Sequence, residues 1–174
     1  VPFGEHMPFA DLFEGLGVDA VAMPGGFSAA RAPQLLNAVG KGLYPLVCYE
    51  AIFPGEITPA ADEAAAFLNV TNDAWFGNTP GPYQHFLQAR LRAVERGMPL
   101  IRAANNGISA IIDAKGRLVS GLAYDVPGFV DATLPGKRPL GEAAKWRNLA
   151  FPFLLLLLLT LAGISRAGFR NRVN

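Results

Sequence analysis

Tyr44-Pro45-Leu46-Val47-Cys48-Tyr49-Glu50 is the stretch on which the reading turns. An apolar run this short, closed by a carboxylate, predicts a buried strand. Cys48 stands near its end, where a side chain can emerge at the carboxyl edge of a sheet, the usual ligand-facing edge in α/β domains. Taken alone, one cysteine in an apolar run is more often an inert buried thiol than a nucleophile. Glu50 follows two residues later. In a strand it would share the face of Cys48; in a tight turn it could orient the thiol or a substrate amine. Its bland alternative is a salt-bridged carboxylate.

Working outward, residues 1–43 are rich in Gly, Pro and Ala and read as long loops, with one short strand around Val18–Ala22. Downstream, Pro59 to Ala66 predict a short helix with Thr58 as its N-cap. Phe67 to Thr71 make a second short strand ending at the polar turn Asn72-Asp73. The clearest helix spans Pro82 to Arg96: Tyr83, Phe86, Leu87, Leu91 and Val94 fall near one face, and Gly97 and Pro99 stop it. Leu100–Ala104 reads as a strand, Ile108–Ile112 with Arg117–Ser120 as a hairpin across Asp113-Ala114-Lys115-Gly116, and Phe129–Leu134 as a final edge strand. Strands interrupted by a helix and followed by more strands define an α/β layered domain.

The chain has 174 residues, enough for one domain with a real core. Its net charge of +1 gives no basic field to collect nucleic acid, so that partner class is excluded. A single cysteine rules out an intrachain disulfide, and His6 and His85 lack the spacing of a zinc pair, so no metal site and no cofactor is expected. The apolar fraction of 51% comes largely from one segment, Leu149 to Ile164, which carries six consecutive leucines and no charge. With Arg147 and Arg166 snorkelling at its ends, a helix over 147–165 is expected to span a membrane. Leucine around the whole circumference argues for lipid on all sides; the alternative is a buried core helix. Basic residues flank both ends, so charge alone leaves the orientation open.

Other segments carry possible chemistry. Asn72-Asp73-Ala74-Trp75-Phe76-Gly77 sets two loop-forming polar residues beside two large rings, which either pack in the core or meet acyl chains. His85 reads as structural rather than catalytic, and Asn105-Asn106-Gly107 as a plain turn before the hairpin.

Taken together these segments resemble the apolipoprotein N-acyltransferase family of Gram-negative and related bacteria. The stretches that carry the resemblance are Val1-Pro2-Phe3-Gly4-Glu5, Val47-Cys48-Tyr49-Glu50, Asn72-Asp73-Ala74-Trp75-Phe76-Gly77, Gly81-Pro82-Tyr83-Gln84-His85-Phe86, Ala89-Arg90-Leu91-Arg92-Ala93 and Arg102-Ala103-Ala104-Asn105-Asn106-Gly107-Ile108. Any one is weak, but six in order and in register are strong. The resemblance implies a nitrilase-like αββα sandwich facing the periplasm and anchored in the bacterial inner membrane. Residues 1–134 would be the C-terminal portion of a carbon–nitrogen hydrolase domain, 135–146 a linker, 147–165 a transmembrane helix and 166–174 a cytoplasmic tail.

It also implies thiol acyl transfer, from a phospholipid donor through a Cys48 thioester to the α-amine of an apolipoprotein. Cys48 matches the nucleophile, and Glu5 a second active-site glutamate. Tyr49 and Glu50 match residues adjoining the nucleophile, and Trp75 an active-site aromatic. The family's lysine and base glutamate lie upstream of the Pro-Phe-Gly-Glu motif and are absent here, so the chain is expected to be a fragment without turnover of its own. Two other readings fit the strand-end cysteine: a nitrilase-type amidase with water as acceptor, and a non-catalytic membrane-tethered binding domain.

Overall fold

The computed structural model describes residues 32–38, 40–140 and 149–162. The chain divides into two compact units, Val1–Arg138 and Pro139–Asn174. In the first unit the described residues form one six-stranded sheet in sequential order: β1 (Leu36–Ala38), β2 (Lys41–Val47), β3 (Ala66–Asn72), β4 (Leu100–Asn105), β5 (Ala110–Ile112) and β6 (Leu118–Gly121). β2, β3 and β4 are parallel, while β1 pairs antiparallel with β2, and β5 and β6 continue antiparallel from β4. The expected α/β class holds.

The parallel trio decides where a site can form. Its register sets Val47 beside Val70, Thr71 beside Ala104 and Asn72 beside Asn105, so three carboxyl ends share one edge. The connection from β3 to β4 runs through α1 (Gly81–Arg96), and that from β2 to β3 through 3-10 turns at Cys48–Ile52, Pro54–Glu56 and Pro59–Glu63. Another 3-10 turn, Asp73–Phe76, follows β3 directly.

Period-2 alternation produces the core. Tyr44 and Leu46 of β2, Phe67 of β3, Leu100 of β4, and Ala110 and Ile112 of β5 are buried together against Ala89 and Ala93 of α1. Tyr44 and Phe67, register partners, meet edge to face at 5.9 Å between ring centres. α1 ends as its sequence predicts: Gly97 takes the left-handed conformation (φ 58°), and Met98 N–H reaches back to the Ala93 carbonyl at 3.0 Å.

Several boundaries differ from the sequence reading. β2 stops at Val47, because the chain turns at Cys48, which has φ 51°. Pro59–Glu63 is a 3-10 turn rather than a helix to Ala66, and the Thr58 hydroxyl pairs with the Tyr44 hydroxyl (3.3 Å) instead of capping it. The segment read as loop before residue 43 contains the β1–β2 hairpin, with Gly40 at φ 72°. The edge strand expected over Phe129–Leu134 is not there: that stretch makes no ladder, and Phe129 is 88% exposed. Beyond it the chain is tied down by Lys137 Nζ on the Asp62 and Ala64 carbonyls and by Arg138 N–H on the Gly97 carbonyl. The strand expected near Val18–Ala22 lies outside the described residues.

The hairpin turn forms as expected, and Asp113 holds it. One of its oxygens accepts the N–H groups of Lys115 and Arg117, each at 2.9 Å, and the other takes the Arg117 guanidinium at 2.6–2.7 Å. Burial alone would raise the Asp113 carboxyl; these bonds and the Arg117 charge outweigh it and hold it below the ordinary carboxylate value.

In the second unit, residues 149–162 are helical and exposed throughout. Fourteen residues at about 1.5 Å each cover roughly 21 Å, and no helix among the described residues is long and apolar enough to cross a membrane.

Candidate active site

Cys48 sits at the shared carboxyl edge, as the first residue of the 3-10 turn that follows β2, and is partly exposed. A positive φ at a residue bearing a Cβ is uncommon and costs on the order of 1–3 kcal/mol, so the surroundings must enforce it. They do so through the Cys48 carbonyl. Asn69 Nδ2 reaches it at 3.4 Å and the Leu46 carbonyl at 2.7 Å, and His85 Nε2 approaches it from α1 at 3.2 Å. On the outer side of the turn, Glu50 Oε2 accepts the Val47 N–H at 2.7 Å.

Beneath this elbow lies a buried polar platform. Asn69 and Arg102 are register partners on the core face of β3 and β4, and the guanidinium bonds the Asn69 side-chain oxygen. Its other nitrogen meets Asp73 Oδ2 at 2.6 Å, with both side chains at 0% exposure. Asp73 Oδ1 contacts His85 Nδ1 at 2.8 Å and the Thr71 hydroxyl at 3.0 Å. Thr71 Oγ1 is also 3.4 Å from Cys48 Sγ, the only side-chain link from the platform to the sulfur among the described contacts.

The electrostatics follow from these distances. Burial alone would raise the Asp73 carboxyl, but the His85 hydrogen bond, the Arg102 charge and the Thr71 hydroxyl outweigh it, and Asp73 stays ionised well into acid. Burial lowers Arg102, and the negative charges of Asp73 and of an ionised Cys48 act against that lowering. The guanidinium remains a cation. For His85, the Asp73 and Cys48-carbonyl contacts are hydrogen bonds at once only in the doubly protonated ring, in which Nδ1, also 3.3 Å from Arg102 Nη2, accepts no bond. With one ring proton, either Asp73 or the Cys48 carbonyl is served.

Of the residues singled out from sequence, Cys48 and Glu50 come together at the elbow. Tyr49 is half exposed, its ring 5.5 Å from Phe53 and 6.2 Å from His85 between centres. Trp75 is 76% exposed on the turn after β3, so it is not core packing, whereas Phe76 packs on His85 at 5.7 Å. Glu5 lies outside the described residues. His85 is buried, as a structural reading requires, and it also touches the backbone of Cys48. Gly107 is more than a turn residue: a Cβ there would stand 2.9 Å from Asp73 Cγ and 2.8 Å from Ala104 Cβ. Asn69, Thr71, Asp73 and Arg102 went unassigned from sequence. Two of them left a signal, since an amide and a guanidinium at inward positions of strands need partners inside the core. Among the described residues no cluster of His, Cys, Asp or Glu could hold a metal ion.

A strand-end cysteine on a left-handed elbow marks the shared carboxyl edge of this α/β sheet as the candidate site. The chain belongs to the carbon–nitrogen hydrolase family, which it matches over residues 24–147. Among curated proteins it is 55% identical to the apolipoprotein N-acyltransferase of Rhizobium rhizogenes over 176 residues and 53% identical to that of Sinorhizobium fredii over 177. Both alignments cover 100% of this chain and 33% of the relative. The chain thus spans a third of the length of these relatives. Among solved structures, an amidase from Nesterenkonia sp. is 24% identical over 57% of this chain and 40% of its own, with a TM-score of 0.45.

Proposed function

We propose that this chain is the nucleophile-bearing part of an apolipoprotein N-acyltransferase of the bacterial inner membrane. The observation that carries the reading is Cys48 on a left-handed elbow at the shared end of three parallel strands, its carbonyl held by Asn69 and His85 and the residue partly exposed. The likeness to curated acyltransferases along the whole chain selects this chemistry within the family.

The reaction is ping-pong transfer through a thioester. The Cys48 thiol gives its proton to a base, and the thiolate attacks an ester carbonyl of a phospholipid. Collapse of the tetrahedral adduct expels the lyso-phospholipid alkoxide, which takes up a proton. The α-amine of a lipoprotein's diacylglyceryl-cysteine then attacks the thioester, the base takes the amine's proton, an amide forms, and the thiolate leaves and is reprotonated to the thiol. The N–H that follows Cys48 is a backbone donor for the oxyanion. The base glutamate and the lysine of the family set come from sequence this chain does not contain, while Glu5 matches the supporting glutamate. Tyr49 and Glu50 support the elbow, and Trp75, exposed beside the site, reaches toward acyl chains. The leucine-rich helix at 149–162 is the membrane-embedded element, with the globular part on the periplasmic side. Confinement to the membrane that holds both substrates replaces a three-dimensional search.

The test joins this chain to the part of the R. rhizogenes relative that it does not cover, in phospholipid vesicles. The expected result is a Cys48 acyl adduct by mass spectrometry, discharged onto a diacylglyceryl-cysteine peptide but slowly onto water. The 174-residue chain alone is expected to give no adduct. Joined protein that folds yet never acylates Cys48 would overturn the proposal, and discharge mainly onto water would make it an amidase-like hydrolase.

A further inference from the structure

We propose that the Thr71 hydroxyl is the hydrogen-bond donor to the Cys48 thiolate, turning from Asp73 to the sulfur when the thiol ionises. Thr71 Oγ1 lies 3.0 Å from Asp73 Oδ1 and 3.4 Å from Cys48 Sγ. A hydroxyl has one proton, so it serves one of these acceptors at a time. β-Branching makes the Thr71 side chain stiff about χ1, so the oxygen stays in place while its O–H rotates.

That proton makes only one of the bonds that hold Asp73. Its Oδ1 also has His85 and its Oδ2 has Arg102, so the carboxylate remains paired when Thr71 turns away. With Cys48 neutral, the Thr71 proton points to Asp73, the charged and stronger of its two acceptors. Once the thiol proton has left, the hydroxyl turns and Thr71 donates to sulfur. Thr71 itself neither gains nor loses a proton. The thiol proton goes to the base in acyl transfer and to solvent in the measurement below. A thioester sulfur is a poor acceptor, so the hydroxyl returns to Asp73 in the acylated state and turns back as the thiolate departs. The same rotor therefore serves nucleophile and leaving group.

The inference rests on Cys48 as the nucleophile. The charged and titratable groups around this pair are Arg102 from β4, which interacts electrostatically with Cys48, Asp73 from the turn after β3, bonded to Thr71, His85 from α1, on the Cys48 carbonyl, and Glu50 from the elbow, on the Val47 N–H. All four are kept in a Thr71 variant, so the hydroxyl is isolated.

The test is the pH profile of Cys48 alkylation by iodoacetamide in the full 174-residue chain, where the sole cysteine makes the signal unambiguous. An S–C bond forms and iodide leaves. In Thr71→Val the thiol midpoint is expected to rise by about one pH unit, equal to about tenfold slower alkylation at any pH below it. Thr71→Ala should show the same shift and Thr71→Ser should restore the native profile, with circular dichroism confirming folding. A Thr71→Val or Thr71→Ala profile that superimposes on the native one, or a Thr71→Ser shift as large as theirs, would overturn the inference. No lipid is needed, so failure of acyl transfer in the joined protein bears on the proposed function alone, and an unshifted profile bears on Thr71 alone.

Discussion

Replacing Asp73 by Asn leaves the shape of the platform intact and removes the charge that Arg102 faces. The pair is short, 2.6 Å between Arg102 Nη2 and Asp73 Oδ2, and neither side chain is exposed at all. Removing one partner of a buried pair costs about 3–5 kcal/mol, because the survivor stays buried without compensation. The amide can still accept one bond from the guanidinium, which sets the expectation at the low end, about 3 kcal/mol. Against a domain stability of about 5–15 kcal/mol this is a large fraction, and it corresponds to a melting temperature lower by about 10 °C. Urea unfolding followed by circular dichroism reads it as a lower midpoint with the slope unchanged. Arg102→Met in the Asp73→Asn background should restore at least about 1 kcal/mol, since the stranded cation is then gone. If Asp73→Asn stays within about 1 kcal/mol of the native chain, or the double variant loses the full sum of the singles, the platform does not hold the edge together as argued.

Three further outcomes follow from the same coordinates. Gly107→Ala puts a methyl 2.9 Å from Asp73 Cγ, and should cost about 1–3 kcal/mol in the same urea titration by pushing the carboxylate off Arg102. Asp73 and Asp113 both hold carboxyl values below those of the unfolded chain. Their contribution is therefore complete above an unfolded value of about 3.9 and is lost as pH falls through the lower folded values; the unfolding midpoint should be level from neutral pH to about pH 5 and drop steeply below about pH 4, less steeply in Asp73→Asn. Trp75, with Trp146→Phe leaving it the one indole, should shift its emission to the blue on mixing with phospholipid vesicles. Trp75→Ser should weaken vesicle partition about tenfold, within the range expected for burying an aromatic ring, and an emission maximum indifferent to lipid would remove Trp75 from the acyl-chain contact.

The parts of the fold that were legible in the sequence are those set by periodicity and by strong stops. α1 follows from its length and its Gly97 stop, but its inward face does not: Pro82, His85, Ala89, Arg92 and Ala93 are buried, while Tyr83, Leu87, Leu91 and Val94 of the expected apolar face are exposed. β3 and β4 follow from short apolar runs, and the β5–β6 hairpin from Asp113-Ala114-Lys115-Gly116, whose first residue binds two N–H groups of its own turn. β2 was read two residues too long. Tyr49 continues the apolar pattern, and no residue type at Cys48 announces a left-handed φ, because that conformation is imposed by Asn69 and His85 from other elements. β1 was missed because three residues are too few for a pattern, and Phe129–Leu134 was over-read because an apolar start does not supply a ladder partner. Within the site, Cys48 and Glu50 stood out by their place at a strand end. Asn69 and Arg102 could have been paired by counting inward from Phe67 and Leu100. The Thr71 contact could not, because it rests on the register between β2 and β3, which joins residues 23 apart.

The platform's charge balance limits what it can do for the sulfur. Arg102 is committed to Asp73 at 2.6 Å and to Asn69, so its positive charge is already matched by a buried carboxylate. Ionising Cys48 then leaves the group net negative unless the His85 ring takes its second proton. A matched ion pair offers a nearby thiolate only a residual dipole, far weaker than an uncommitted cation at the same distance. The geometry therefore assigns Asp73, Arg102, Asn69 and His85 to holding the Cys48 carbonyl, and with it the direction of the thiol, while Thr71 supplies one local dipole to the sulfur. Full activation calls for a positive charge from outside the platform. Joining the chain to the part of the R. rhizogenes relative that it does not cover should therefore raise the rate of Cys48 alkylation at neutral pH without altering the backbone of the elbow.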